Sequence, residues 1–329
     1  MNIDDALGAI EPEPITVQEL IEDPPTDTGS QETPEDQQRR FFDAVMTGND
    51  ESIKASFRER TESLLKEFPA LHPAYHVLAL FEPLNSIDDA DLDTVFSSLR
   101  RSNPNKERNV CLILLSRGGS IEPAYQISKL CKQWSATKFI VAIPRYAKSA
   151  ATLIALGADE IHIGPLGQLG PIDPQLGGLP ALGVSQALQT IAQLAEKYPG
   201  SSVMFAEYLK RVLTVEQIGY CDRIAQSASQ YAHRLLSSKA SISDRVEFIA
   251  NRLVQEYKDH SFVIDFEESR KLLGEDLVKG DSSELELAER LYQLFDEFNY
   301  WLRLRDKRIL LTGDPLENII ILRINRKKS

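Results

Sequence analysis

The chain has no long apolar run. Its longest, about six residues over 110–115, falls far short of the roughly 20 residues that a membrane-spanning helix needs. Cysteine is scarce as well. Cys111, Cys131 and Cys221 are scattered, with no pair at metal-ligand spacing, which excludes a zinc ribbon or a disulfide scaffold and matches intracellular usage. Residues 1–36 contain neither lysine nor arginine, so no basic leader of a secretory or organellar kind is visible. With 37 basic against 49 acidic residues the net charge is −12, which argues against a general nucleic-acid binder. Arg117-Gly118-Gly119-Ser120 lacks the Gly-Lys-Ser/Thr end of a phosphate-binding loop. No repeat of about 20–50 residues is present. These absences give the expectation of a soluble cytoplasmic protein with no membrane span, no nucleic-acid partner, no metal and no cofactor.

What is present is enough for a substantial core: 329 residues, 42% of them hydrophobic. Residues 1–36 are acidic and proline-rich, the composition of a disordered arm that is either a solvated tail or a docking peptide, with a brief helical turn at 17–21. Residues 37–70 carry helical spacing interrupted at Thr47-Gly48-Asn49-Asp50, which predicts two helices. A main domain is expected over 71–275 and a helix-and-strand extension over 276–329, with a helix at 284–304, a strand at 319–324 and a basic tail at 325–329. Within the main domain, four short apolar runs at 75–82, 110–115, 139–143 and 160–163 read as buried strands. Helical stretches at 87–99, 121–134 and 149–156 separate them, and 184–258 has a helical pattern throughout. Strand alternating with helix implies an α/β fold with a mostly parallel sheet.

Two loops carry chemical potential. Gly118 and Gly119 follow a strand and open a helix, where the missing Cβ atoms let backbone N–H groups turn toward an oxyanion. Tyr146-Ala147-Lys148-Ser149-Ala150-Ala151 also joins a strand to a helix, with Ser149 among small neighbours. Ser149 is the candidate nucleophile, and Ala150 N–H a second oxyanion donor. The bland alternatives are a serine that merely caps its helix and a plain tight turn at the glycines. His162 alternates with Ile161 and Ile163 and so faces the other side of its strand; His72, His76 and His233 show no partner pattern.

The ordered combination of strand-Gly-Gly, strand-small-Ser-small-small, Ala-Leu-Gly-Ala-Asp and Leu-Gly-Pro-Ile-Asp-Pro-Gln, strongest over 116–175, resembles the serine dehydrogenase proteinase family. That family is related to signal peptide peptidase A and the Clp protease proteolytic subunit. The resemblance implies a ClpP/crotonase-like fold of stacked ββα units and a helical carboxy-terminal extension. It implies a serine endopeptidase with Ser149 as nucleophile, Gly118, Gly119 and Ala150 as oxyanion hole, a protein or peptide substrate, and a homo-oligomer. Where the Clp subunit carries its histidine this chain has Asp173, a poor base for serine but suited to ordering the loop. A lysine base on the plan of signal peptide peptidase A is therefore expected, with Lys210 favoured over Lys197, Lys148 and His260. The alternatives are a non-catalytic oligomeric scaffold and a crotonase-type acyl-CoA enzyme, which would need the glycines but not Ser149.

Overall fold

The computed structural model describes residues 34–176, 179–257 and 259–324. The acidic stretch 1–33, the helical turn expected at 17–21 and the basic tail 325–329 lie outside the described residues. The chain divides into two units, Met1–Phe42 and Asp43–Ser329. Helix α1 (Pro34–Met46) begins in the first and ends in the second.

The helix break expected at 47–50 is present. Helix α2 (Asp50–Lys66) starts after Asn49, whose side-chain oxygen accepts from Ser52 N at 2.9 Å. That cap satisfies one of the donors a helix start leaves open. Ile53, Phe57, Leu64 and Leu65 form its buried face.

A one-turn helix α3 (Leu71–Ala74) leads into β1 (Tyr75–Glu82), α4 (Asp89–Ser102), β2 (Asn109–Ser116) and α5 (Ile121–Trp134). Next come β3 (Phe139–Ile143), β4 (Tyr146–Ala147) and α6 (Ala150–Leu156), a strand–strand–helix unit, then β5 (Glu160–Ile163) and β6 (Gln168–Leu169). A small hairpin, β7 (Gln175–Leu176) with β8 (Leu179–Pro180), precedes three helices, α7 (Ala181–Lys197), α8 (Ser202–Val212) and α9 (Val215–Leu236). Breaks around Pro199-Gly200 and Leu213-Thr214 divide the stretch that the sequence pattern joins. Proline cannot continue a helix, and Thr214 starts α9 with a capping box to Gln217. The chain closes with α10 (Val246–Asn251), α11 (Phe266–Leu273), β9 (Val278–Lys279), α12 (Ser283–Leu302), β10 (Lys307–Gly313) and β11 (Ile319–Arg323).

The main sheet has the order β11-β10-β1-β2-β3-β5-β9. From β1 to β9 the neighbours are parallel, and β10 and β11 add antiparallel strands at one edge. The protein is thus α/β with a mostly parallel sheet. Continuous burial of β2 and β3, which pack against α5, α6 and α12, explains their unbroken apolar runs. The segments 71–275 and 276–329 share this sheet, since Phe81 pairs with Leu311 and Ile161 with Val278. The ring of Phe298 on α12 meets Phe57 edge-on at 5.0 Å, and Phe295 meets Phe81 at 4.9 Å. Strand β10 is absent from the sequence expectation, which has a helix followed directly by one strand.

Strand β4 lies off this strand order. It pairs with the end of β2 and with β6. This side branch carries the residues that follow.

Candidate active site

Two residues of β4 place Lys148 and Ser149. Ala147 pairs with Ser116, and Lys148 N donates to Ser116 O at 3.0 Å. The buried Thr152 hydroxyl lies 2.7 Å from Ala147 O and 2.8 Å from Gly170 O, tying the start of α6 to the loop after β6. All seven residues of α6 are buried. The small side chains that sequence analysis singles out let this helix sit inside the core, so its first turn is firmly held.

Ser149 stands immediately before that turn at φ 53°, ψ −121°. Positive φ is costly for a residue with a side chain and is kept when the surroundings enforce it. Its hydroxyl makes no capping bond to the helix, contrary to the capping alternative. The residue is partly exposed.

Across from it stands Gly118 at φ +108°. A Cβ on Gly118 would lie 2.7 Å from Ser149 Cβ, 2.7 Å from Lys148 O and 3.0 Å from Ala150 N. No other residue fits without moving the serine. Gly119 is gripped from its other side: a Cβ there would be 2.3 Å from Ile87 N and 2.4 Å from Ile87 O. Ile87 N donates to Gly118 O at 3.0 Å, and Ser120 N donates to Ile87 O at 2.9 Å. The structure therefore brings Gly118, Ser149 and Ala150 together, while Gly119, next in the chain, lies against Ile87. Gly118 N–H is already engaged, donating to Ser116 Oγ at 3.0 Å. Gly119 N–H has no acceptor among the described residues, and Ala150 N–H, first in its helix, has none within it. Gly119 is exposed, whereas Ala150 is fully buried.

A third strand of chain closes the site. Leu169 and Ile264 exchange backbone hydrogen bonds at 2.8 and 3.1 Å. This bridge lays residues 259–264 alongside β6 and carries His260 to Asp173, with Nδ1 3.8 Å from Oδ2. Asp173 is buried and His260 half-buried. Lys148, the serine's neighbour, packs its stem against Gly170 and donates from Nζ to Ser261 O at 3.0 Å. Burial holds the His260 pKa below its ordinary value, with the Lys148 charge acting in the same direction and Asp259 opposing. Burial also lowers the pKa of Lys148, helped by Arg117. Arg117 itself lies over the Tyr146 ring, 5.3 Å from its centre.

Lys210 and Lys197 lie elsewhere. Lys210 is on α8 with 77% of its side chain exposed, facing Glu207 at 3.8 Å. Lys197 ends α7, exposed and over the Tyr198 ring. Both lysines are exposed to solvent. His162 is buried between Ser282 Oγ at 2.6 Å and Glu160 Oε2 at 3.2 Å, consistent with a packed histidine. No cluster of His, Cys, Asp and Glu fit for a metal occurs among the described residues. No described helix is long and apolar enough to cross a membrane.

Sequence reasoning gives Thr152 no role, and it ranks His260 below Lys210. A signal for His260 exists, since Asp259-His260-Ser261 interrupts a helical region, but its partner Asp173 is far away in sequence.

Residues 79–219 match the family of ClpP-like SDH-type serine proteinases, so the resemblance read from the ordered motifs holds over this region. The matched span runs from β1 to the first turn of α9 and includes Gly118, Ser149 and Asp173; His260 lies beyond it. Two uncharacterized proteins of Methanocaldococcus jannaschii are 27% identical to the chain. The alignments span 200 residues, 61% of this chain and 62% of the relative, and 161 residues, 49% of each. The chain thus covers less than two thirds of either. Among solved structures, a 1510-N membrane-bound stomatin-specific protease is similar at TM-score 0.41 and 17% identity, over 65% of this chain and 83% of that one. ClpP1 from Listeria monocytogenes is similar at TM-score 0.38 and 13% identity, over 68% and 99%.

Proposed function

We propose that the protein is a serine endopeptidase in which Ser149 is the nucleophile, His260 the general base and Asp173 the group that orients it. The observation that carries this reading is an uncapped serine at positive φ, pressed against a glycine whose place no residue with a Cβ could take without moving the serine. Family resemblance over residues 79–219 supports the reaction class.

In this reading Ser149 Oγ attacks a peptide carbonyl carbon while its proton passes to the His260 imidazole. The carbonyl oxygen, now an oxyanion, is held by Gly119 N–H and Ala150 N–H. One such donor is worth roughly 3 kcal/mol in the transition state. Collapse of the intermediate expels the amine, which takes the proton back from the imidazolium, and water then hydrolyses the acyl-serine in the same manner. Asp173 favours the imidazolium that forms. His260 is preferred over Lys210 because it has burial and a carboxylate partner, while Lys210 has only an exposed partner on its own helix. The chemistry calls for no metal or cofactor. A homo-oligomer acting on protein or peptide in the cytoplasm belongs to the same proposal, by resemblance.

A fluorophosphonate probe tests the reading. Labelling of the wild-type chain that disappears in Ser149→Ala supports the peptidase. Well-folded protein that takes no label supports the non-catalytic scaffold, and acyl-CoA turnover that survives Ser149→Ala supports the crotonase-type enzyme.

A further inference from the structure

The chain places a lysine directly before the candidate nucleophile, and the mechanism above does not use it. Lys148 is not directed at the oxyanion glycines. Its stem lies on Gly170, where an added Cβ would come within 3.0 Å of Lys148 Cγ and 3.1 Å of its Cβ. From there Nζ reaches across to the Ser261 carbonyl at 3.0 Å. Ser261 is the residue after His260, and its own N–H is held by Asp259 Oδ1 at 2.6 Å. The loop that delivers the histidine is therefore fastened at two points: the Leu169–Ile264 bridge at its far end and the lysine beside the imidazole.

We propose that Lys148 is a positioning residue for His260, holding the histidine's loop by the Ser261 carbonyl. The inference rests on His260 being the base. A base must be neutral to accept the serine's proton, and two neighbours of His260 favour its charged form. The Asp259 carboxylate on its own loop and the Asp173 backbone on the loop after β6 draw a proton to the ring; Lys148, from the β4–α6 junction, repels it. Arg117, at the end of β2, faces Lys148 and lowers its affinity for a proton in turn. The lysine thus offsets what Asp259 and Asp173 would do to the base, and one side chain couples the nucleophile's own loop to the histidine's.

The test is the pH dependence of fluorophosphonate labelling in the full chain, compared among wild type, Lys148→Gln, Lys148→Arg, Asp259→Asn and His260→Gln. Lys148→Gln is expected to label several-fold more slowly at the plateau and to move the acidic limb upward by roughly 0.5–1 pH unit, the scale of one charge at this range. Lys148→Arg should restore the position of the limb. Asp259→Asn keeps an acceptor for Ser261 N–H and should move the limb downward, without altering the residue beside the serine. A direct titration of the His260 ring by NMR, in the Ser149→Ala background with and without Lys148→Gln, should show the same displacement.

An unmoved limb and ring titration in Lys148→Gln, with labelling lost in His260→Gln, overturns the role of Lys148 and leaves the base standing. Loss of all labelling in folded Lys148→Gln makes the lysine itself the base and overturns the inference. Full labelling in His260→Gln removes the base assignment and the inference with it.

Discussion

Gly118 and Ser149 face each other so closely that a Cβ on the glycine would lie 2.7 Å from the Cβ of the serine. The glycine also holds φ +108°, which L side chains rarely adopt. Gly118→Ala is therefore expected to slow serine labelling at least about tenfold and to cost more than about 1 kcal/mol of stability. Gly200 is the matched control, since nothing lies within 4 Å of where its Cβ would be. Labelling rates and chemical denaturation of the two alanine variants check this. Equal behaviour would mean that the close approach has no consequence.

The backbone of Ser149 stores strain. At φ 53° a side chain costs about 1–3 kcal/mol. Ser149→Gly should remove that cost along with the hydroxyl, whereas Ser149→Ala removes the hydroxyl alone. Thermal melts of the two variants should then separate, with the glycine variant the more stable and both unlabelled. A glycine variant no more stable than the alanine one would show that the conformation is not strained.

The pH profile follows from the direction in which His260 is shifted. Its pKa lies below the ordinary 6.5, because burial and Lys148 disfavour the charged ring. The neutral form is the base, so the rate should be at its plateau at pH 7 and fall as pH drops through a value under 6.5. His260→Gln should lower the plateau about a hundredfold or more, and Lys210→Ala should leave it within about twofold. An acidic limb unaltered by His260→Gln, or a loss confined to Lys210→Ala, would reassign the base.

A second buried acid governs stability. Glu82, at the end of β1, and Asp91 both lie 3.1 Å from the Thr312 hydroxyl on β10. One hydroxyl carries one proton, so it can donate to only one of the two oxygens, and the other contact requires a protonated carboxyl to donate to it. Burial, then the Asp91 charge, pushes the Glu82 pKa from 4.5 up to about 7. Between those values the folded state binds more protons than the unfolded, so stability is full below about 4.5 and falls as pH rises through about 7. The loss amounts to roughly 3 kcal/mol at most. Glu82→Gln should flatten this dependence, leaving the melting temperature near wild type at pH 5 and above it at pH 8. Parallel melting curves across that range would show that Glu82 ionises without cost.

The parts of this site that the sequence reveals are local ones. Adjacent glycines after a strand and a small-residue turn after the next are visible because each is a short-range demand on the backbone, and the parallel sheet follows from four short apolar runs. What stays hidden depends on contacts between distant segments. Strand β10 fills the edge beside β1, yet its sequence, Lys307–Gly313, carries no alternation that would set it apart from a helix end. His260 reaches Asp173 through the Leu169–Ile264 bridge, which no spacing rule announces. Lys210 has the amphipathic helix the sequence promises, but on its solvent side.

The proposed peptidase depends first on the Ser149 hydroxyl acting as a nucleophile. Mass spectrometry of the digested, fluorophosphonate-treated wild-type chain tests it most directly. One modified residue is expected, Ser149, with labelling abolished by Ser149→Ala in protein that still melts cooperatively. Label found on another serine, or unchanged in Ser149→Ala, would contradict it.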